Sequence, residues 1–193
     1  MYIENNSLKN KVTLWLIIMF FLVSLMIIVG GLTRLTDSGL SITKWELFEG
    51  FFPPINDSEW LNYFNQYKQI PEFKIQNFSM TLNEFKIIFW WEWSHRFMGR
   101  VVGILYLLPL IYFSFYLKFK NLINLYLIFI LICFQGFLGW YMVSSGLVNN
   151  IDVSHFRLSI HLITAFVILS LILWNLLCLK SFTLKKQNFN IYF

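Results

Sequence analysis

From Val12 to Thr33 the chain runs without a single charged side chain. A helix needs about 20 apolar residues to cross the hydrocarbon core of a bilayer, so this stretch alone confines the chain to a membrane. Lys9 and Lys11 precede it, as in a secretory signal, but the apolar run is too long for one. Gly30-Gly31-Leu32-Thr33 is also a poor cleavage site. Three further spans follow, and the expected set is about 12–32, 93–117, 122–143 and 157–179. Only 13% of the residues are charged, against about 25% in an ordinary soluble domain. Such a chain cannot cover a water-facing surface. A soluble globular enzyme, a disordered chain and a nucleic-acid binder are excluded, and the expected fold is an all-α integral membrane bundle of four helices.

Charge sets the direction. If four helices cross, Lys9, Lys11, Lys118, Lys120, Lys180, Lys185 and Lys186 fall on one side with a single acid, Glu4. By the positive-inside rule that side is cytoplasmic or matrix. The net charge of +5 is thus a matter of topology, with no patch for a polyanion. Residues 1–11 form an inner N-terminus, 12–179 the membrane domain and 180–193 an inner tail. Loops 33–86 and 144–156 face outward. Cys133 and Cys178 each sit inside an apolar run, so no structural disulfide is expected.

The first outer loop has structure of its own. Trp60, Phe64 and Tyr67 recur at helical spacing, which predicts a short amphipathic helix lying on the membrane surface. Thr81-Leu-Asn-Glu84 has the capping-box pattern, so the second long helix is expected to begin near residue 82. Trp90, Trp91 and Trp93 then fall at headgroup level, where indole rings prefer to sit. Pro109 should kink the same helix, because it leaves the carbonyl four residues earlier without its helical donor.

Ionisable groups inside membrane helices are costly and mark candidate sites. His95 and His161 lie near the outward ends of two helices that both run inward. From His95 to Lys118 is roughly 34 Å of helix, and from His161 to Lys180 roughly 28 Å. Two imidazoles at matched depth could hold a planar metal macrocycle between them as axial ligands. Gly99 and Gly103 follow His95 at one and two turns, a strip without side chains that could admit a porphyrin. Glu92 stands one turn outward of His95. Arg96, Arg100 and Arg157 are placed to pair with propionates. Plainer readings stand beside these: interfacial histidines, snorkelling arginines, and an ordinary Gly-xxx-Gly packing motif. His155 is assigned no role.

Read in order, the motifs resemble haem A synthase. They are Gly30-Gly-Leu-Thr-Arg-Leu-Thr-x-Ser-Gly-Leu-Ser41, Pro53-Pro54 with Trp60, and Phe85-Lys-x-Ile-Phe-Trp-Trp-Glu-Trp-x-His-Arg-x-x-Gly-Arg100. Gln135-Gly-x-x-Gly-Trp-Tyr-Met-Val-x-Ser-Gly-Leu-Val148 and Arg157-Leu-x-x-His161-Leu complete the set. The lack of a cysteine pair in the first outer loop is similar to the alphaproteobacterial and mitochondrial branch. The resemblance implies oxidation of the C8 methyl of haem O to a formyl group, giving haem A. It implies His95 and His161 as ligands of the haem O iron, and Glu92 as a carboxylate assisting the oxidation. Implied partners are haem O and haem A, membrane lipid, haem O synthase, and an electron donor or acceptor.

The family is typically built from two four-helix halves, with haem B held in the second. This chain corresponds to the first, substrate-binding half. The enzyme reading therefore stands beside a non-catalytic bis-histidine haem-binding or electron-transfer subunit, and beside an inactive remnant. An inner membrane is implied, bacterial in preference to mitochondrial. A weak internal echo, Ser38-Gly-Leu40 against Ser145-Gly-Leu147, hints at a two-helix repeat.

Overall fold

A computed structural model describes residues 3–44, 49–149 and 153–189, with the side chains of 49, 145–149 and 181–189 outside the description. All its regular structure is helical. The helices are α1 (Asn6–Leu35), a single 3-10 turn at Glu49–Phe51, α2 (Asp57–Tyr67), α3 (Pro71–Ile75), α4 (Leu82–Ser114), α5 (Phe119–Asn149) and α6 (His155–Phe189). Four of them, α1, α4, α5 and α6, are long and apolar enough to cross a membrane, as the four charge-poor runs require.

The long helices overshoot the expected spans. α1 starts at Asn6, before Lys9 and Lys11. α5 continues to Asn149, into residues read as outer loop, and α6 continues to Phe189, through most of the segment read as a tail. A helix stops where its backbone finds a cap or a breaker, which need not coincide with the edge of the hydrocarbon. The helical end of α5 also alters the internal echo. Ser38-Gly-Leu40 lies in a loop beyond α1, whereas residues 145–147 lie within α5 and their side chains are outside the described set. Residues 150–152 and 190–193 are outside it altogether.

The caps are specific. Asn5 Oδ1 accepts the Ser7 and Leu8 N–H groups at the start of α1. The helix ends in a Schellman turn, with Ser38 N–H on the Thr33 carbonyl (3.0 Å), Asp37 N–H on that of Arg34 (3.2 Å) and Asp37 left-handed at φ 48°. At α4 the capping box forms as the spacing predicts: Thr81 N–H donates to Glu84 Oε2 (2.7 Å), and Glu84 N–H donates to Thr81 Oγ1 (3.4 Å).

The chain divides into two compact units. One gathers α1 up to Leu25, α4 from Val101, α5 up to Phe134 and α6 from Ile163. Its core includes Leu16, Met19, Tyr106, Leu110, Leu125 and Ile172. α4 runs unbroken through Pro109. The carbonyl that the proline leaves without a helical donor is that of Leu105, and the buried Trp15 indole N–H donates to it at 3.0 Å. In hydrocarbon no water could do so.

The other unit spans Met26–Arg100 and Gln135–Leu162. Here α2 forms as the amphipathic helix that the spacing predicts. Its buried face, Trp60, Phe64 and Tyr67, packs on Phe85 and Phe89 of α4, with ring centroids 4.9–5.2 Å apart. A periodic apolar face requires a cover, and here the cover is protein. Tyr67 is fully buried. Its hydroxyl donates to Glu72 Oε1 (3.0 Å) and accepts from Asn77 Nδ2 (2.8 Å). Burial first, and the Glu72 carboxylate second, push this phenol above the ordinary tyrosine range.

Two outcomes follow. Trp15→Phe strands the Leu105 carbonyl and should cost about 1–3 kcal/mol in thermal unfolding in detergent, and adding Pro109→Ala should recover most of the loss. Tyr67→Phe should be destabilising at neutral pH. Because the folded phenol holds its proton past the unfolded value of about 10, the wild-type advantage is present below that pH and shrinks as pH rises beyond it. Melting curves of both proteins between pH 8 and 11 measure the narrowing gap.

Candidate functional site

The site is built around a charge inside a membrane helix. Glu92, on α4, is 3% exposed. Its Oε2 accepts the Ser41 hydroxyl (2.7 Å) and the Ile42 N–H (2.8 Å), and its Oε1 pairs with the Arg96 guanidinium one turn on. Arg96 also donates to the Ile42 carbonyl (2.9 Å) and the Lys44 carbonyl (3.4 Å). Two side chains of α4 thus hold this segment, Ser41 by its hydroxyl and Ile42 and Lys44 by their backbone. The Schellman turn after α1 sends the chain toward this anchor, and Thr33 adds a contact from its hydroxyl to the Trp91 carbonyl (3.5 Å). Burying a carboxylate is tolerable only with such partners.

Next to the anchor stands His95. A Cβ placed on Gly30 of α1 would come within 2.9 Å of its Cε1, so only glycine fits there without displacing the imidazole. His161 has a similar neighbour: a Cβ on Gly139 of α5 would lie 3.5 Å from its Cε1. Gln135, one turn before Gly139, donates its Nε2 to the His161 backbone carbonyl at 2.8 Å. Both imidazoles are half-buried, and their buried Nδ1 atoms have no hydrogen-bond partner. They belong to the same compact unit. Among the described residues no group of three or more His, Cys, Asp or Glu side chains is placed to hold a metal ion.

The other expected site residues are distributed differently. Arg96 is engaged by Glu92 and the loop. Arg100 shares a narrow cleft with Lys44, Phe52, Tyr63, Trp93 and Arg96. At about 100° per residue, the α4 positions in that cleft fall on a different face of the helix from His95. Arg157 places its guanidinium over the Tyr141 ring, 4.6 Å from the centroid. A Cβ on Gly99 would touch only Met26, at 3.7 Å, and one on Gly103 would meet nothing within 4 Å, so these two positions keep an open face. Trp93, read as part of an aromatic belt, stacks on Phe97 (4.9 Å, 13°), and its buried indole N–H lacks an acceptor.

Gly30, Gly139, Gln135 and Ser41 were not singled out as site residues by spacing. All four lie inside the quoted motifs, and that was the only signal available for them.

The chain matches the COX15-CtaA family, described as cytochrome oxidase assembly protein, over residues 13–190. It belongs to that family. Curated relatives named haem A synthase include one from Pelagibacter ubique, 52% identical over 200 residues, covering 100% of this chain and 59% of that protein. One from Rickettsia bellii is 47% identical over 171 residues (88% of this chain, 51% of the relative). One from Flavobacterium psychrophilum is 45% identical over 170 residues (86% and 50%). The chain therefore spans about half to three-fifths of the length of these relatives. No solved structure matches it. With four candidate spans, this family member is a multi-pass membrane protein.

The anchor makes a direct prediction. Arg96→Leu leaves the Glu92 carboxylate buried without its cation and should cost about 3 kcal/mol. The double variant Glu92→Gln/Arg96→Leu, with no charge to strand, should melt above the single Arg96→Leu protein in the same detergent.

Proposed function

We propose that this chain binds haem O between His95 and His161 and takes part in its conversion to haem A by oxidation of the C8 methyl to a formyl group. The observation that carries the reading is the paired clearance. Each imidazole faces a glycine of the membrane helix that precedes its own, and each keeps an unpartnered Nδ1. Two histidines alone are a poor closed metal site, but they suit the axial positions of a ring that brings its own four nitrogens. Family membership and the names of the relatives support the same substrate class.

The chain's own groups then have assignable tasks. His95 and His161 hold the substrate's iron and fix the plane of the ring. Gly99 and Gly103 leave room alongside α4. Arg157 is the cation left to meet a propionate, while Arg96 mainly secures the Glu92 anchor and Arg100 lies on another face of α4 from His95. Glu92 sits one turn from His95 with its lone pairs largely committed to Ser41, Ile42 and Arg96. That arrangement favours a fixed negative charge that stabilises positive charge developing at the reacting methyl over a freely moving proton acceptor. The site lies toward the outer face of an inner membrane, with both termini on the cytoplasmic side. Water supplies the formyl oxygen, an external acceptor takes the electrons with release of protons, and a second four-helix half that would hold haem B completes the enzyme.

The test is co-expression with a haem O source. The purified protein should show a low-spin, bis-histidine visible spectrum, lost in His95→Ala and His161→Ala. Supplied with its second half, it should yield a formyl-bearing haem on chromatography of the extracted pigment. Gly30→Ala should reduce haem retention several-fold more than Gly139→Ala, because only the first methyl group would collide with its imidazole. Glu92→Gln should retain haem O and lose at least tenfold in conversion. Unchanged haem A output from that variant would remove the carboxylate from the mechanism.

A further inference from the structure

Among the described buried side-chain atoms without hydrogen-bond partners, one can only accept: Gln135 Oε1. Its orientation is not arbitrary. The other half of the amide meets the His161 backbone carbonyl at 2.8 Å. A carbonyl only accepts, so the group facing it has to be the NH2, and Oε1 must point elsewhere. An amide oxygen buried in a membrane protein without a donor costs about 1–3 kcal/mol. The residue that Gln135 already touches also owns an unpartnered buried nitrogen, His161 Nδ1. The two vacancies are chemically complementary. An imidazole bound to iron through Nε2 carries its proton on Nδ1 and needs an acceptor for it. Metal-bound histidines almost always have such an acceptor, which fixes the ring and raises its basicity.

We propose that Gln135 is the positioning residue of the His161 ligand. Its Nε2 holds the α6 backbone in register, and its Oε1 accepts the Nδ1–H of the iron-bound ring, directly or through one water. Gly139, one turn further along α5, provides the clearance in which the ring takes that orientation. Gln135 would thus tune the electron-donating strength of one axial ligand without touching iron or substrate. This inference rests on the haem reading given above.

Two substitutions separate the acceptor role from the backbone tie. Gln135→Leu removes both. Gln135→Glu keeps an acceptor oxygen at the same reach. In full-length protein purified with haem O, Gln135→Leu should retain haem about tenfold less tightly and raise the midpoint potential, because an undonated Nδ1–H makes a weaker ligand. Gln135→Glu should leave the potential at or below that of wild type. If both variants move it the same way, or neither moves it, the acceptor role is overturned and Gln135 is only a helix tie. A third measurement does not depend on either variant folding. With 15N-labelled histidine in the wild-type holoprotein, the His161 Nδ1–H should exchange slowly with solvent, and exchange as fast as that of free imidazole overturns the proposal. A wild-type protein without a low-spin spectrum overturns the haem reading itself, so the two failures are distinguishable.

Discussion

A carboxylate buried among protein side chains must be matched where it lies, because bulk water does not reach it. Glu92 is matched by the Ser41 hydroxyl, the Ile42 N–H and the Arg96 guanidinium. Much of the surrounding unit depends on that requirement. Residues 41–44 are drawn to α4, and the turn after Leu35 is shaped to deliver them. Leu40 and Ile42 join Trp60, Phe64, Phe85 and Phe89 in one apolar cluster over the N-terminal end of α4. An ion pair of this kind need not add net stability. It does fix which segment lies against α4 beside His95, and the adjacent end of α1 brings Gly30 to the imidazole.

The same requirement explains the fate of the arginines. Three cations near two histidines invite assignment to the carboxylates of a ligand, and spacing gives no reason to separate them. In the structure each has its own setting. Arg96 is engaged by the anchor, Arg157 lies over Tyr141, and Arg100 lines a cleft with Lys44 and Trp93. A charge seeks the nearest unmet opposite charge or carbonyl, and for Arg96 that was provided by a loop some fifty residues earlier in the chain.

How much was readable from the sequence follows from range. The four spans, the capping box at Thr81 and the candidacy of His95 and His161 are local matters of run length, cap chemistry and the cost of buried imidazole, and all were legible. Helix α2 was legible as an amphipathic helix, yet periodicity reveals only that a face is apolar, never whether lipid or Phe85 will cover it. The stack of Trp93 on Phe97 lay outside that reading, since indole preference for headgroups says nothing of a ring one turn away. Gly30 and Gly139 were out of reach of spacing arguments. A glycine's importance lies in what stands opposite, and His95 is sixty-five residues from Gly30. Pro109 was half legible: the freed carbonyl was foreseen, while its new donor, Trp15, lay on another helix.

The separations also set an order of assembly. Gln135, Gly139 and His161 lie on two successive helices, so their contacts can form as soon as α5 and α6 pair as a hairpin. The neighbourhood of His95 has no such independence. Until residues 41 and 42 return across the intervening loop, the acid on α4 lacks two of its three partners, so the segment from Ser38 to Thr81 must be in place first. One half of the histidine pair can therefore mature locally during insertion, while the other waits for a long excursion of the chain to come home.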